Sequence, residues 1–125
     1  MTLFKTNNMK FIFLKLILVL ILCQAGLLMN AQTVKLLNST SKASLRGLCV
    51  VDDNTVWVSG SGGTVGRSVD GGDSWTWMTV KGFEKADFRD IEAFDSKTAI
   101  IMGIAAPAYI LKTTDGGTSW NEVFK

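Results

Sequence analysis

"SVDGGDSW", residues 68–75, returns as "TTDGGTSW", residues 113–120. Both octets place a hydroxyl residue, an Asp, two glycines, a Ser and a Trp at the same positions. In a chain of 125 residues such a recurrence marks an internal repeat, and a repeat constrains the whole architecture before any local reading does. An offset of 43 also aligns Lys42 with Lys85, Arg46 with Arg89, Asp52 with Asp95, Thr55 with Thr98 and Gly60 with Gly103. Two extra residues within "IAAPAYILK" then lengthen the second copy, and the octets themselves are offset by 45. A small insertion between strands is what a surface loop accommodates.

Each copy reads as four short strands. In the first they are "LCVV" (48–51), "TVWVSG" (55–60), "TVGRSV" (64–69) and "SWTWMTV" (74–80). In the second they are "DIEAF" (90–94), "TAIIMG" (98–103), "AYILKTT" (108–114) and "SWNEVF" (119–124). Val, Ile and aromatic residues fill the strands, and Gly, Asp, Asn and Ser clusters divide them. Four strands per unit at this period describe propeller blades. The expected fold class is all-β: two four-stranded antiparallel blades of an incomplete β-propeller, preceded by a helical signal peptide. The expected divisions are 1–31 signal peptide, 32–44 latch strand and linker, 45–80 first blade and 81–125 second blade.

The octet itself reads as a stapled hairpin turn. Gly71 and Gly72 supply the positive backbone angles that a short turn needs. The Asp70 carboxylate accepts turn amides, Ser68 assists with its hydroxyl, and Trp75 plugs the turn from beneath. Because each blade needs its own staple, the motif recurs.

Before the repeat, Lys5, Lys10 and Lys15 precede the apolar run "LILVLILC" (16–23) and the stretch "QAGLLMNAQ". A basic start, a short apolar middle and a small residue before a polar one describe a secretory leader, with cleavage expected between Ala31 and Gln32. Two alternatives compete: an uncleaved anchor, for which the run falls short of about 20 apolar residues, and a lipoprotein using Cys23, which the bulky Leu22 opposes. The expected destination is therefore exported, with membrane contact only through an uncleaved leader.

Past residue 31 the chain has ten basic and eleven acidic residues, a net charge of −1, so no nucleic-acid footprint is expected. Cys49 is left without a disulfide partner. The chain has no His, which excludes Cys–His and Ser–His–Asp devices within it and weakens any zinc site. No cofactor and no metal are expected.

"KASLRGLCVVDDNTVWVSGSGGTVGRSVDGGDSW" and "ADFRDIEAFDSKTAIIMGIAAPAYILKTTDGGTSW" resemble the Asp-box, or BNR-repeat, propellers of the sialidase-like class. Within that class they are most similar to the photosystem II stability/assembly factor-like branch. The resemblance implies a structural role for the Asp-box residues Ser68, Asp70, Gly72 and Trp75, and likewise for Thr113, Asp115, Gly117 and Trp120. It implies no single activity, because fold does not fix function. Closed propellers have about 4–8 blades, so further blades are expected beyond Lys125. By the 43-residue offset, "TVKLL" (33–37) occupies the place of an outer strand and is expected to latch one of them.

Arg46 and Arg89 are the candidate binding residues, in "LRGL" and "FRDI". One reading makes them part of a guanidinium ring at the channel mouth, suited to carboxylates. The other makes them tethers between blades, paired with acids such as Asp52 or Asp90. Glu84, Asp87, Asp90 and Glu92 are the carboxylates available for glycoside hydrolysis, and Tyr109 is the one Tyr. The sialidase-type Arg-Ile-Pro signature is missing, since "FRDI" lacks the proline. No catalytic residue is therefore assigned. The glycine-rich "SGSGGTVG" (59–66) lacks the Lys-Ser/Thr ending of a phosphate loop and reads as a loose hairpin turn. Trp57, Trp75, Trp77, Phe88 and Phe94 are expected to pack between blades. The function expected is a protein- or peptide-binding, assembly-factor-like scaffold. The alternative is the N-terminal part of a sialidase-like glycoside hydrolase with carbohydrate as ligand.

Overall fold

The computed structural model describes residues 10–19, 34, 36, 37 and 40–125. Residues 10–19 form a helix. No helix among the described residues is long and apolar enough to cross a membrane. The Ala31–Gln32 junction, Cys23 and, of the proposed latch, Thr33 and Lys35 lie outside the described residues. Of the latch, Val34, Leu36 and Leu37 are described, and none is in a strand.

From Leu45 onward the chain builds eight strands: β1 (Leu45–Val50), β2 (Val56–Gly60), β3 (Thr64–Ser68), β4 (Thr76–Thr79), β5 (Phe88–Ala93), β6 (Ala99–Gly103), β7 (Tyr109–Thr113) and β8 (Asn121–Phe124). They form two separate antiparallel meanders, β1-β2-β3-β4 and β5-β6-β7-β8. No strand crosses from one sheet to the other, so each repeat unit is one blade.

Alternation sorts each strand into two faces, because successive side chains point opposite ways. In the first sheet, Cys49, Trp57 and Arg67 share a row across the strands, as do Gly47, Ser59, Val65 and Met78. That face meets the second sheet. Trp57 Nε1 donates to the carbonyl of Asp95 at 3.1 Å, and the Cys49 sulfur accepts from the Ala93 amide at 3.3 Å. Across the contact, Ile91, Ala93, Ala99, Ile101 and Leu111 are buried. One core thus lies between the blades, closed at its outer side by the Trp57–Trp120 edge-to-face pair, 6.4 Å between centroids.

Gly47 makes this approach close. A Cβ there would lie 2.8 Å from the amide nitrogen of Ile91 and 2.9 Å from the carbonyl carbon of Asp90, and would also strike the Ser59 hydroxyl. The backbone of β1 therefore rests almost directly on that of β5.

Two sequence expectations are corrected. Phe94 is 60% exposed; it follows the end of β5 and takes no part in the inter-blade core. The β2–β3 connection is tight rather than loose. It is a two-residue turn at Gly62 and Gly63, with φ of 66° and 64°, in which the Thr64 amide donates to the Ser61 carbonyl at 3.3 Å. Both glycines take the left-handed conformation that the hairpin twist demands.

Candidate functional site

The two ends of the sheet pair carry different chemistry. At one end lie the β3–β4 and β7–β8 turns, which hold the repeated octets. Ser68 Oγ donates to Asp70 Oδ1 at 2.8 Å and accepts the Gly72 amide at 2.8 Å. Asp70 then accepts the Ser74 amide at 2.9 Å and the Ser74 hydroxyl at 2.5 Å. Trp75 Nε1 donates to the Gly72 carbonyl at 3.1 Å. The second octet repeats this circuit: Thr113 with Asp115 at 2.8 Å, the Gly117 amide with Thr113 at 3.0 Å, Ser119 with Asp115 at 2.9 and 2.6 Å, and Trp120 with the Gly117 carbonyl at 3.1 Å. Gly72 and Gly117 have φ of 89° and 91°, where any Cβ is strained.

The Ser74 hydroxyl, then its amide and the Ser68 hydroxyl, hold the Asp70 carboxyl down at about 2. Ser119, by hydroxyl and amide, and Thr113 hold Asp115 at about 2 in the same way. A depressed folded-state value means the unfolded chain takes up the proton first as pH falls. The stability from these staples is present above pH about 4 and is lost as pH falls towards 2. Thermal melts between those limits are expected to show this loss, and Asp70→Asn/Asp115→Asn should flatten it. An acid limb equally steep in that variant would contradict the assignment.

A second staple repeats at the same end. Asp52 Oδ1 accepts the amides of Asn54 and Thr55 at 2.8 and 2.6 Å, and Asp95 Oδ1 accepts those of Lys97 and Thr98, both at 2.6 Å. These bonds lower both carboxyls, the Asn54 amide leading for Asp52 and the Lys97 amide for Asp95. The Asp52/Asp95 and Thr55/Thr98 matches in the repeat were its sequence signal.

The opposite end carries the arginines. β1 pairs Leu45 with Gly60 and then Gly47 with Ser59, leaving Arg46 as the extra residue of a β-bulge. β5 pairs Phe88 with Gly103 and then Asp90 with Met102, leaving Arg89 in the same position. Bulges re-aim side chains, and here each turns a guanidinium to one acid: Arg46 Nε lies 2.9 Å from Asp87 Oδ1 and Arg89 Nη2 lies 3.5 Å from Asp87 Oδ2. The expected partners were Asp52 or Asp90. Asp52 is instead spent on its own turn, and Asp90 Oδ1 accepts the Ile91 amide at 3.0 Å.

Beside this triad runs a groove lined by Gly82, Phe83, Glu84, Lys85, Ala105 and Tyr109. Phe83 and Tyr109 form its aromatic floor, 4.9 Å between centroids. Burial, and then the Asp87 charge, push the Tyr109 hydroxyl up. Glu84 accepts the Gly82 amide at 2.8 Å; that bond, foremost, holds its carboxyl below its usual value. Neither Phe83 nor Tyr109 stands out in the repeat, because their counterparts at the repeat offsets are Thr40 and Thr64, neither of them aromatic.

Arg67 also ties the two blades together, a role sequence reasoning missed. Its Nη1 donates to the Ser96 carbonyl at 2.7 Å, and its guanidinium carbon lies 5.6 Å from the centre of the Trp57 ring. The repeat does place a second cation, Lys112, one residue before the other octet. No group of acids and cysteines among the described residues is arranged to hold a metal ion.

The fold and both ends of the sheet pair can now be set beside known proteins. The family model for the photosynthesis system II assembly factor YCF48 matches residues 30–124. The chain belongs to this family. A structure of YCF48 bound to D1 peptide is 27% identical, with a TM-score of 0.55, and covers 67% of this chain. YCF48 from Cyanidioschyzon merolae is 23% identical, with a TM-score of 0.56 and 73% coverage. The second shares the fold. This chain spans 26% and 30% of those two structures' own lengths. A comparison with curated proteins gives no significant match.

Proposed function

We propose that these two YCF48-type blades form part of a peptide-binding assembly scaffold, and that they engage the peptide at the Arg46/Arg89 end. The observation that carries this reading is the convergence of both bulge arginines on Asp87, beside an aromatic groove and away from the stapled turns. Asp87 fixes the guanidinium groups through part of their donor set. Their remaining N–H groups are free to grip a carboxylate or main-chain carbonyls, while Phe83 and the buried Tyr109, their rings tilted by 49°, back the groove with apolar surface. The solved YCF48 bound to D1 peptide supports a peptide as the ligand class.

The glycosidase reading lacks support at this end. Asp87 is paired with two cations. Glu84 is shifted towards the ionised form, whereas a general acid needs the opposite shift. The basic and then apolar stretch of residues 5–23 supports export as the accompanying proposal. N-terminal sequencing of an exported product should begin at Gln32.

Fluorescence anisotropy with labelled D1 peptide tests the binding site. Arg46→Ala/Arg89→Ala is expected to weaken capture about tenfold, roughly 1.4 kcal/mol. The melting temperature should barely move, because half-exposed ion pairs contribute roughly 0–1 kcal/mol. Unchanged capture with a lowered melting temperature would make the arginines tethers instead.

A further inference from the structure

Arg46 and Arg89 come from different blades yet share one carboxylate. Asp87 Oδ1 lies 2.9 Å from Arg46 Nε, and Asp87 Oδ2 lies 3.5 Å from Arg89 Nη2. The backbone of Asp87 is pinned to the first blade: it bridges Ser61, and the Gly63 amide donates to the carbonyl of Ala86 at 2.8 Å. The acid therefore stands at a fixed place between the two cations. Neighbouring acids are engaged elsewhere. Asp90 lines the apolar hollow on the far face of the second sheet, and its Oδ1 accepts the Ile91 amide. Glu84 accepts the Gly82 amide and lies on the groove with Lys85, which offsets its charge. Two guanidinium groups and one carboxylate leave the triad with a single net positive charge. The blade repeat does not demand this acid: at the offset of 43 the counterpart of Asp87 is Ser44, so the first copy carries an uncharged side chain there.

We infer that Asp87 sets the charge class of the ligand: it tunes this end of the blade pair for a peptide bearing one carboxylate beside an apolar side chain. The inference rests on the peptide-binding reading and adds to it which peptides are taken. Asp87 engages Arg46 through Nε, which leaves both terminal nitrogens of that guanidinium as donors, and it engages Arg89 through one terminal nitrogen. One incoming carboxylate, held by such charge-assisted bonds, brings the site to neutrality. A second meets no unmatched cation and faces Asp87 as a like charge, which is how charged sites reject wrong partners. The apolar side chain next to the bound carboxylate lies along the groove backed by Phe83 and Tyr109. Asp87 is thus a positioning residue that acts through the arginines. The side chains of Arg46, Asp87 and Arg89 are 37%, 38% and 41% exposed. They are open enough for a ligand to reach, and open enough that their pairing adds little to stability.

Fluorescence anisotropy on the full chain tests this with three labelled, amide-capped peptides that share one apolar, Phe-containing sequence and carry no Glu, one Glu or two. Wild type is expected to bind the one-Glu peptide about tenfold more tightly than the peptide without Glu, and the two-Glu peptide within about twofold of the one-Glu peptide. Asp87→Asn should bind the two-Glu peptide about fivefold more tightly than the one-Glu peptide, at an unchanged melting temperature. Asp87→Ser, which copies the first repeat, should behave like Asp87→Asn, and Asp87→Glu should restore the wild-type order. A wild-type chain that gains as much from the second Glu as from the first would overturn the role of Asp87 and leave the arginine site standing. The same holds if Asp87→Asn and Asp87→Ser keep the wild-type order. An Arg46→Ala/Arg89→Ala chain that binds all three peptides as well as wild type would overturn the peptide-binding reading itself, and this inference with it.

Discussion

Trp57→Ala is expected to destabilise the blade pair by about 3–5 kcal/mol, the usual cost of removing a buried Trp. Trp57 is fully buried. It holds the contact in three ways at once: its ring meets Trp120 edge-on, its Nε1 bonds the Asp95 carbonyl, and the Arg67 guanidinium lies over its face. Truncation leaves a cavity between the sheets, orphans a carbonyl and frees a cation. Small domains have about 5–15 kcal/mol in all, so the variant should be largely unfolded near its working temperature. Urea denaturation measures the loss. Phe94→Ala is the matched control: an exposed aromatic whose removal should cost no more than about 0.5 kcal/mol. Equal losses for the two would mean that Trp57 is not at a blade interface.

Gly47→Val is the second large effect. Its Cβ would stand 2.8 Å from the Ile91 amide nitrogen, and neither backbone can retreat without opening the contact. Forcing extra carbons into such a space costs about 1–3 kcal/mol. The register counterpart makes the comparison informative. Asp90 occupies the same place in the second sheet but faces outward, so Asp90→Val should cost no more than about 0.5 kcal/mol. If both valines prove equally harmful, the two faces are not inequivalent and the docking described for them fails.

The sheet pattern was legible because turn chemistry and alternation are local. Strand limits read from the repeat fall within a few residues of those observed, and the staple of Asp70, Ser68 and Trp75 has the bonds its residue types imply. What escaped the sequence depends on which sheet face meets which. Arg67 reads as an ordinary strand cation until the second blade brings the Ser96 carbonyl to it. The arginine bulges were invisible because a bulge is a property of two paired strands, and one strand's residues do not announce it. Asp87 was passed over as a partner for Arg46 and Arg89 because its repeat counterpart is Ser44, so the aligned copies do not mark it. Phe94 misled for the opposite reason: an aromatic at a strand end carries the composition of a core residue without its position.

The central claim is that residues 45–79 and 88–124 form two self-contained sheets docked face to face. Backbone and indole nuclear Overhauser contacts measure this directly. The account predicts inter-strand contacts confined within β1–β4 and within β5–β8, joined by side-on contacts of Gly47 with Ile91, Cys49 with Ala93 and the Trp57 indole with Asp95 and Trp120. A ladder running from β4 or β1 into β8, with the Trp57 contacts missing, would contradict it.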